Sequence, residues 1–197
     1  MTPNQSYHYR VHAWDENGVE VISNDAIFNT LGDGILYEDA EDGNIDGWSI
    51  YDNDPAGATI TNIEDAARGS RVIALNGNIY NNGYMLGGRT TETGWNNTQN
   101  SNIRWSMNYS ELFVIYIPVN TSNGRRYLVY ENRDADRGEN NGYIRLGIGA
   151  DASNGTWQTF TRNIEADLQR FEADNELLSV DGFMIRGSGS LDDISLF

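Results

Sequence analysis

A period of two in the apolar residues is the feature that most constrains this chain. Between Leu112 and Val119, Phe113, Ile115 and Ile117 fall on one side of an extended backbone, and Val114 and Tyr116 on the other. Successive side chains of a strand point to opposite faces, so this segment is a strand with one face toward a core. A turn at Asn120–Gly124 leads into Arg125–Tyr130, which completes a hairpin. The pattern recurs twice. Ile144, Leu146 and Ile148 oppose Tyr143 and Arg145, and Phe183 and Ile185 oppose Met184 and Arg186. If the aliphatic sets form the core, the other face of that sheet displays Tyr116, Tyr143, Arg145 and Arg186.

Short extended segments are expected at 35–39, 47–52, 57–64, 70–76, 83–87, 102–109, 112–120, 125–132, 142–149, 156–163, 182–187 and 191–197. The 21 glycines against 3 prolines suit many short strands joined by tight turns. One helix is expected at Ile164–Phe171, where Ile164, Leu168 and Phe171 follow the 3.6-residue period. The fold class is therefore all-β: an antiparallel β-sandwich with one short helix, preceded by a β-hairpin fragment. Trp105 alternates with Ile103, Met107 and Tyr109 as a buried stripe, and Trp48 and Trp157 are expected to pack in the core or at its edge. Trp95, among Gly and Asn residues, is the tryptophan expected to be exposed.

The charge of −16 argues against a nucleic-acid partner, because neutralising phosphates takes a basic stripe. All 13 basic residues are Arg, a planar fork suited to carboxylate and sulfate. No apolar run reaches the roughly 18 residues that would span a bilayer, so no membrane insertion is expected. Absence of cysteine removes disulfides and thiolate chemistry together.

Residues 1–30 differ in character from the rest. Tyr7–Trp14 alternate, meet Asp15-Glu16-Asn17-Gly18, and give way to a second extended run through Thr30, which is a hairpin with an Asn-Gly turn signal. This segment resembles the last two strands of a fibronectin type III domain, with Met1, Pro3 and Tyr7 in the places of that family's Leu-x-Pro-x-x-x-Tyr stretch and Tyr7 as its corner tyrosine. The resemblance implies that the chain begins inside a larger protein. Leu31-Gly32-Asp33-Gly34 reads as a linker, and 35–197 as the main domain.

In the main domain an acidic opening strand, Leu36 to Gly43, is followed by Gly47-Trp48. Gly155 to Phe160 precedes a late strand, and Leu191-Asp192-Asp193-Ile194-Ser195-Leu196 closes the chain. That order resembles the jelly-roll carbohydrate-binding modules attached to secreted polysaccharide-degrading enzymes. The resemblance implies a non-catalytic, secreted, extracellular polysaccharide-binding module. It also implies adjacent first and last strands that hold a structural calcium through Glu38, Asp39 or Glu41 with Asp192 or Asp193.

The residues themselves support calcium through crowding. Asp33, Glu38, Asp39, Glu41, Asp42, Asp46, Asp52 and Asp54 fall within a stretch without Arg, and a hard cation bound by oxygen ligands is one way to offset their repulsion. The bland alternative is a solvated acidic face. For a sugar, aromatic planes meet C–H faces while guanidinium groups meet hydroxyls or anions. Tyr116, Tyr143, Arg145 and Arg186 are the expected contacts, with Trp95 at the rim, and neighbouring Arg145 and Arg186 would select acidic chains by bidentate pairing.

Catalysis has little support, because His8 and His12 both lie in the hairpin and leave the main domain without an imidazole. Neither a Gly-x-Ser-x-Gly elbow nor a Glu-x-Asp-x-x-Glu strand occurs. A reading of a different class is an extracellular adhesive or fibre-forming domain that self-associates through the N-terminal hairpin by strand addition.

Overall fold

The computed structural model describes residues 6–29 and 34–197. Met1, Pro3, the side chain of Tyr7 and the linker residues 31–33 lie outside the described residues, and with them the corner tyrosine expected from the fibronectin resemblance. The chain divides into two compact units, one within its first 35 residues and one spanning Leu36–Leu196.

The first unit is a ribbon of β1 (Ser6–Tyr9), β2 (His12–Trp14), β3 (Glu20–Ile22) and β4 (Ala26–Asn29). β2 pairs with β3 and β1 with β4, all antiparallel. The turn between β2 and β3 is held by Asp15, whose carboxylate accepts the N–H groups of Asn17 at 2.9 Å and Val19 at 2.8 Å. Gly18 supplies the left-handed φ of +79° that closes it. Val11, Trp14, Val19, Val21 and Ile22 are all exposed on this ribbon.

The second unit runs β5 (Ile35–Glu38), β6 (Trp48–Asp52), β7 (Thr59–Asp65), β8 (Ser70–Asn76), β9 (Gly83–Gly87), β10 (Asn102–Asn108) and β11 (Val114–Thr121). It continues with β12 (Gly124–Glu131), β13 (Gly138–Asn140), β14 (Tyr143–Gly147), β15 (Gln158–Asn163), α1 (Ile164–Gln169), β16 (Leu177–Val180), β17 (Gly182–Arg186) and β18 (Gly189–Leu196). One sheet has the order β15-β10-β18-β8-β7, with β5 also paired to β18. The other has the order β13-β14-β12-β11-β17-β9-β6, with β16 also paired to β11. The result is a β-sandwich of jelly-roll type. Its first and last strands, β5 and β18, are neighbours.

Alternation sets which face is inside. Ile115, Ile117 and Val119 of β11, Leu128 and Tyr130 of β12, Ile144 and Leu146 of β14, and Phe183 and Ile185 of β17 are all fully buried. They meet Ile103, Trp105 and Met107 of the facing sheet in one core. Trp105 joins the layers, with ring centroids 5.6 Å from Tyr130, 6.0 Å from Phe183 and 5.4 Å from Phe160. Burying a side chain of this size contributes about 3 kcal/mol, which is why the stripe predicted around Trp105 specifies the inner face.

The fold departs from the expected one in two details. β12 and β14 pair in parallel, because the three-residue β13 intervenes and takes the antiparallel place beside β14. The helix ends at Gln169, and Phe171 lies beyond it, 36% exposed. Asn163 caps the helix by accepting the Ala166 N–H at 2.7 Å, and Ile164, Asp167 and Leu168 are its buried residues. Among the described residues no helix is long and apolar enough to cross a membrane.

Candidate functional site

The outward face of the eight-stranded sheet carries a groove of about 490 Å³ lined by Tyr51, Asp52, Arg89, Tyr116, Tyr127, Tyr143, Arg145, Met184 and Arg186. Strand register assembles it. Tyr143 of β14 lies opposite Tyr127 of β12, and Arg145 opposite Val129, which lies opposite Tyr116 of β11. Tyr116 in turn faces Met184 of β17, while Val114 faces Arg186. The four residues predicted for this face thus share one groove, whose lining includes the buried Met184.

Three phenol rings form its aromatic part. Tyr127 and Tyr143 stack with centroids 5.1 Å apart and planes 13° from parallel. Tyr116 meets both edge-on, at 6.5 and 6.4 Å. Burial raises the Tyr116 phenol above its ordinary pKa. Tyr51 supplies a fourth ring from the irregularity between Ile50 and Asp52, where β6 shifts register against β9. Its place depends on Gly83, because a Cβ there would come within 2.4 to 2.7 Å of the Tyr51 ring and hydroxyl. Burial pushes the Tyr51 phenol up to about 12, so it stays protonated and serves as a hydrogen-bonding group.

The three guanidinium groups are held differently. Arg186 donates to Asp52 Oδ2 at 2.5 Å and to the carbonyl of Asn81 at 2.6 Å. That bond holds the Asp52 carboxyl below the usual carboxylate range. Arg145 Nη1 donates to Glu131 Oε1 at 3.2 Å, and Glu131 also pairs with Arg133 at 2.9 Å. Arg89 is exposed and lies over the Tyr51 ring with its central carbon 4.5 Å from the centroid. The lining holds three Arg and one Asp, a local charge of 3 − 1 = +2 on a chain of net −16.

Trp95 is not part of this groove, contrary to expectation. Its ring stacks on Tyr37 at 3.8 Å and 15°, half-buried against the core. It also presses on Gly87, where a Cβ would come within 2.5 Å of Nε1. Tyr37, distant in sequence, and the nearby Gly87 cover what its Asn-rich surroundings advertised as a surface residue.

The carboxylates named for calcium have other partners. Glu38 accepts the Ala40 N–H at 2.7 Å on one oxygen and Trp48 Nε1 at 2.5 Å on the other. Asp39 accepts the N–H of Glu41, and Glu41 that of Arg71. Arg68 donates to Asp192 at 2.6 Å and also to Asp193. Among the described residues no three carboxylates or imidazoles are grouped so as to hold a metal ion. In this arrangement each of the five accepts a hydrogen bond, and a guanidinium neutralises the pair on β18.

No family model matches the chain, and no curated protein matches it. Among solved structures it is similar to the enzymatically active domain of tailspike protein 4 of bacteriophage CBA120, with a TM-score of 0.44 and 9% identity. That match covers 83% of this chain but only 21% of the tailspike chain. It is also similar to the family 11 carbohydrate-binding module of a cellulosomal cellulase of Clostridium thermocellum, with a TM-score of 0.44 and 12% identity over 83% of this chain and 94% of that one. A xylan-binding domain of family 22 gives a TM-score of 0.37 and 15% identity over 82% and 96%. With TM-scores below 0.5, these likenesses assign neither family nor ligand.

Proposed function

We propose that the second unit is a non-catalytic module that binds a polysaccharide along the tyrosine-lined groove, with a preference for acidic chains, in a secreted protein. The observation that carries this reading is the near-parallel Tyr127–Tyr143 pair beside Tyr116 in a groove that also holds three guanidinium groups. A sugar ring offers C–H faces to aromatic planes and hydroxyls to planar donors. The net positive lining favours uronate or sulfate groups despite the acidity of the whole chain. Hydrolysis is disfavoured, since a glycosidase of the usual kind needs two carboxylates. The groove lining contains only Asp52, ionised and tied to Arg186.

The test is retention of the full chain in affinity gels containing uronate-rich, sulfated and neutral polysaccharides. Tyr127→Ala removes one face of the stack and is expected to weaken binding by roughly 10-fold or more, the equivalent of burying most of an aromatic side chain. Gly83→Ala, whose new methyl displaces Tyr51, is expected to weaken binding in the same direction. Unchanged retention of both variants, with circular dichroism unaltered, would remove the groove from consideration.

A second reading, self-association through the ribbon, has its own observation: Val19 and Val21 are 59% and 66% exposed and Trp14 is 63% exposed. A second copy could pair its ribbon there by strand addition. Sedimentation velocity across a concentration series should then show association that Val21→Lys abolishes. A concentration-independent monomer would dismiss this reading and leave the groove untouched.

A further inference from the structure

We propose that Arg89, rather than Arg145 or Arg186, is the residue that reads a carboxylate or sulfate group on the bound polymer, an assignment that rests on the polysaccharide reading of the groove. The three guanidinium groups differ in what they have left to offer. Arg186 is spent on Asp52 and on the Asn81 carbonyl, and an incoming anion would sit beside the Asp52 charge. Arg145 is paired with Glu131, which is 6% exposed, so an anion there would compete with a carboxylate already in place.

Arg89 makes no hydrogen bond or ion pair among the described residues; it lies over the face of Tyr51 and meets Asp52 only through space. Stacking engages the plane of a guanidinium and leaves its five N–H donors, which lie in that plane, directed outward. An anion reaching Arg89 has no hydrogen-bonded carboxylate to displace. It also meets a group whose position is set, because the neighbouring Gly88 N–H donates to the Asp181 carbonyl at 3.2 Å. The backbone there is closely packed, with no room at Gly88 for a Cβ, which would lie 2.3 Å from the Thr93 carbonyl oxygen. Tyr51 completes the device: its ring meets both Arg89, at 4.5 Å, and Arg186, at 5.5 Å, so one phenol holds the free cation near the fixed one. The tyrosines then hold the sugar ring, and Arg89 distinguishes a charged ring from a neutral one.

The experiment uses the full chain on a glycan array of matched pairs: galacturonan and its methyl ester, alginate and its carboxyl-reduced form, and a sulfated galactan and its desulfated form. The expected result is that the wild type prefers the charged member of a pair by about 10-fold. Arg89→Gln should lower that ratio toward one by weakening charged binding far more than neutral binding, and Arg145→Gln should lower the ratio less than Arg89→Gln does. Added salt should weaken charged binding in the wild type more than in Arg89→Gln, because an exposed charge contact is screened. A ratio unchanged in Arg89→Gln, or no preference in the wild type, overturns the assignment while leaving polysaccharide binding intact. Failure of the wild type to bind any member of the array overturns both.

Discussion

Replacing Arg68 by alanine is expected to destabilise the sandwich by about 3 kcal/mol, toward the lower end of what breaking a buried ion pair costs. Arg68 sits in the turn between β7 and β8, where the Asp65 carboxylate accepts the N–H groups of Ala67 and Arg68 at 2.8 and 3.1 Å. From there its fork reaches Asp192 and Asp193 on β18, and its plane lies over Trp157 at 4.9 Å. Asp192 is 3% exposed, so removing the guanidinium leaves a buried carboxylate with no countercharge. Arg68→Lys, a point charge in place of a fork, should recover only part of the loss.

The pH dependence identifies the source. Burial already raises the Asp192 pKa, with Arg68 opposing it. For a carboxyl raised on folding, the contribution to stability is full below the unfolded value and is lost as pH rises through the folded one. Loss of Arg68 moves that folded value further up. The deficit of Arg68→Ala should therefore be largest at neutral pH and shrink on acidification, as read by urea unfolding at several pH values. A deficit that does not change with pH would mean that Asp192 is not its origin. Since the pair is neutralised by a side chain, chelator should leave the melting temperature unchanged. A drop of several degrees with EDTA would return these carboxylates to calcium.

Much of the sandwich was legible because its strands obey one rule. Where a strand has five or more residues and one wet face, as at Val114–Thr121 or Tyr143–Gly147, period-two patterning marks both its place and its facing. β13 escaped because Gly138-Glu139-Asn140 has no apolar residue to alternate, and β16 because the paired leucines of Leu177-Leu178-Ser179-Val180 break the alternation. In the groove, Tyr116, Tyr143, Arg145 and Arg186 follow from alternation. Tyr127 was within its reach, two places before Val129 on the same face of β12. Tyr51 was not, since it stands at a register shift, and Arg89 was not, since it follows β9 in a tight turn. The acidic crowding was visible, but its offset was not. Arg186 reaches Asp52 from β17, and Arg68 reaches Asp192 from the β7–β8 turn, pairings that only the tertiary fold creates.

The second large effect is expected at Asp167, on the buried side of α1. Its Oδ2 accepts the Tyr130 hydroxyl at 2.9 Å and Arg162 Nε at 2.8 Å, and its Oδ1 accepts Arg162 Nη2 at 2.5 Å. Tyr130 is fully buried and Asp167 is 7% exposed. Asp167→Ala therefore strands a hydroxyl and a guanidinium at once, at a cost of about 3–5 kcal/mol. Tyr130→Phe removes one hydrogen bond and should cost only about 1–2 kcal/mol. Tyr109 provides the contrast, because its hydroxyl is buried without a hydrogen-bond partner among the described residues. Tyr109→Phe should be neutral or stabilising by up to about 1 kcal/mol.

Burial pushes both phenols well above their ordinary pKa. The fold holds them neutral while the unfolded chain ionises, so stability falls as pH rises beyond about 10. Each Phe variant should flatten that alkaline decline, and an unaltered decline in both would mean that neither ring controls it. Tyr130 and Tyr127 lie on one strand but on opposite faces. The polysaccharide binding proposed for the groove should therefore, per folded molecule of Asp167→Ala, match the wild type, because the stability of the core and the composition of the groove are set by alternate residues of β12.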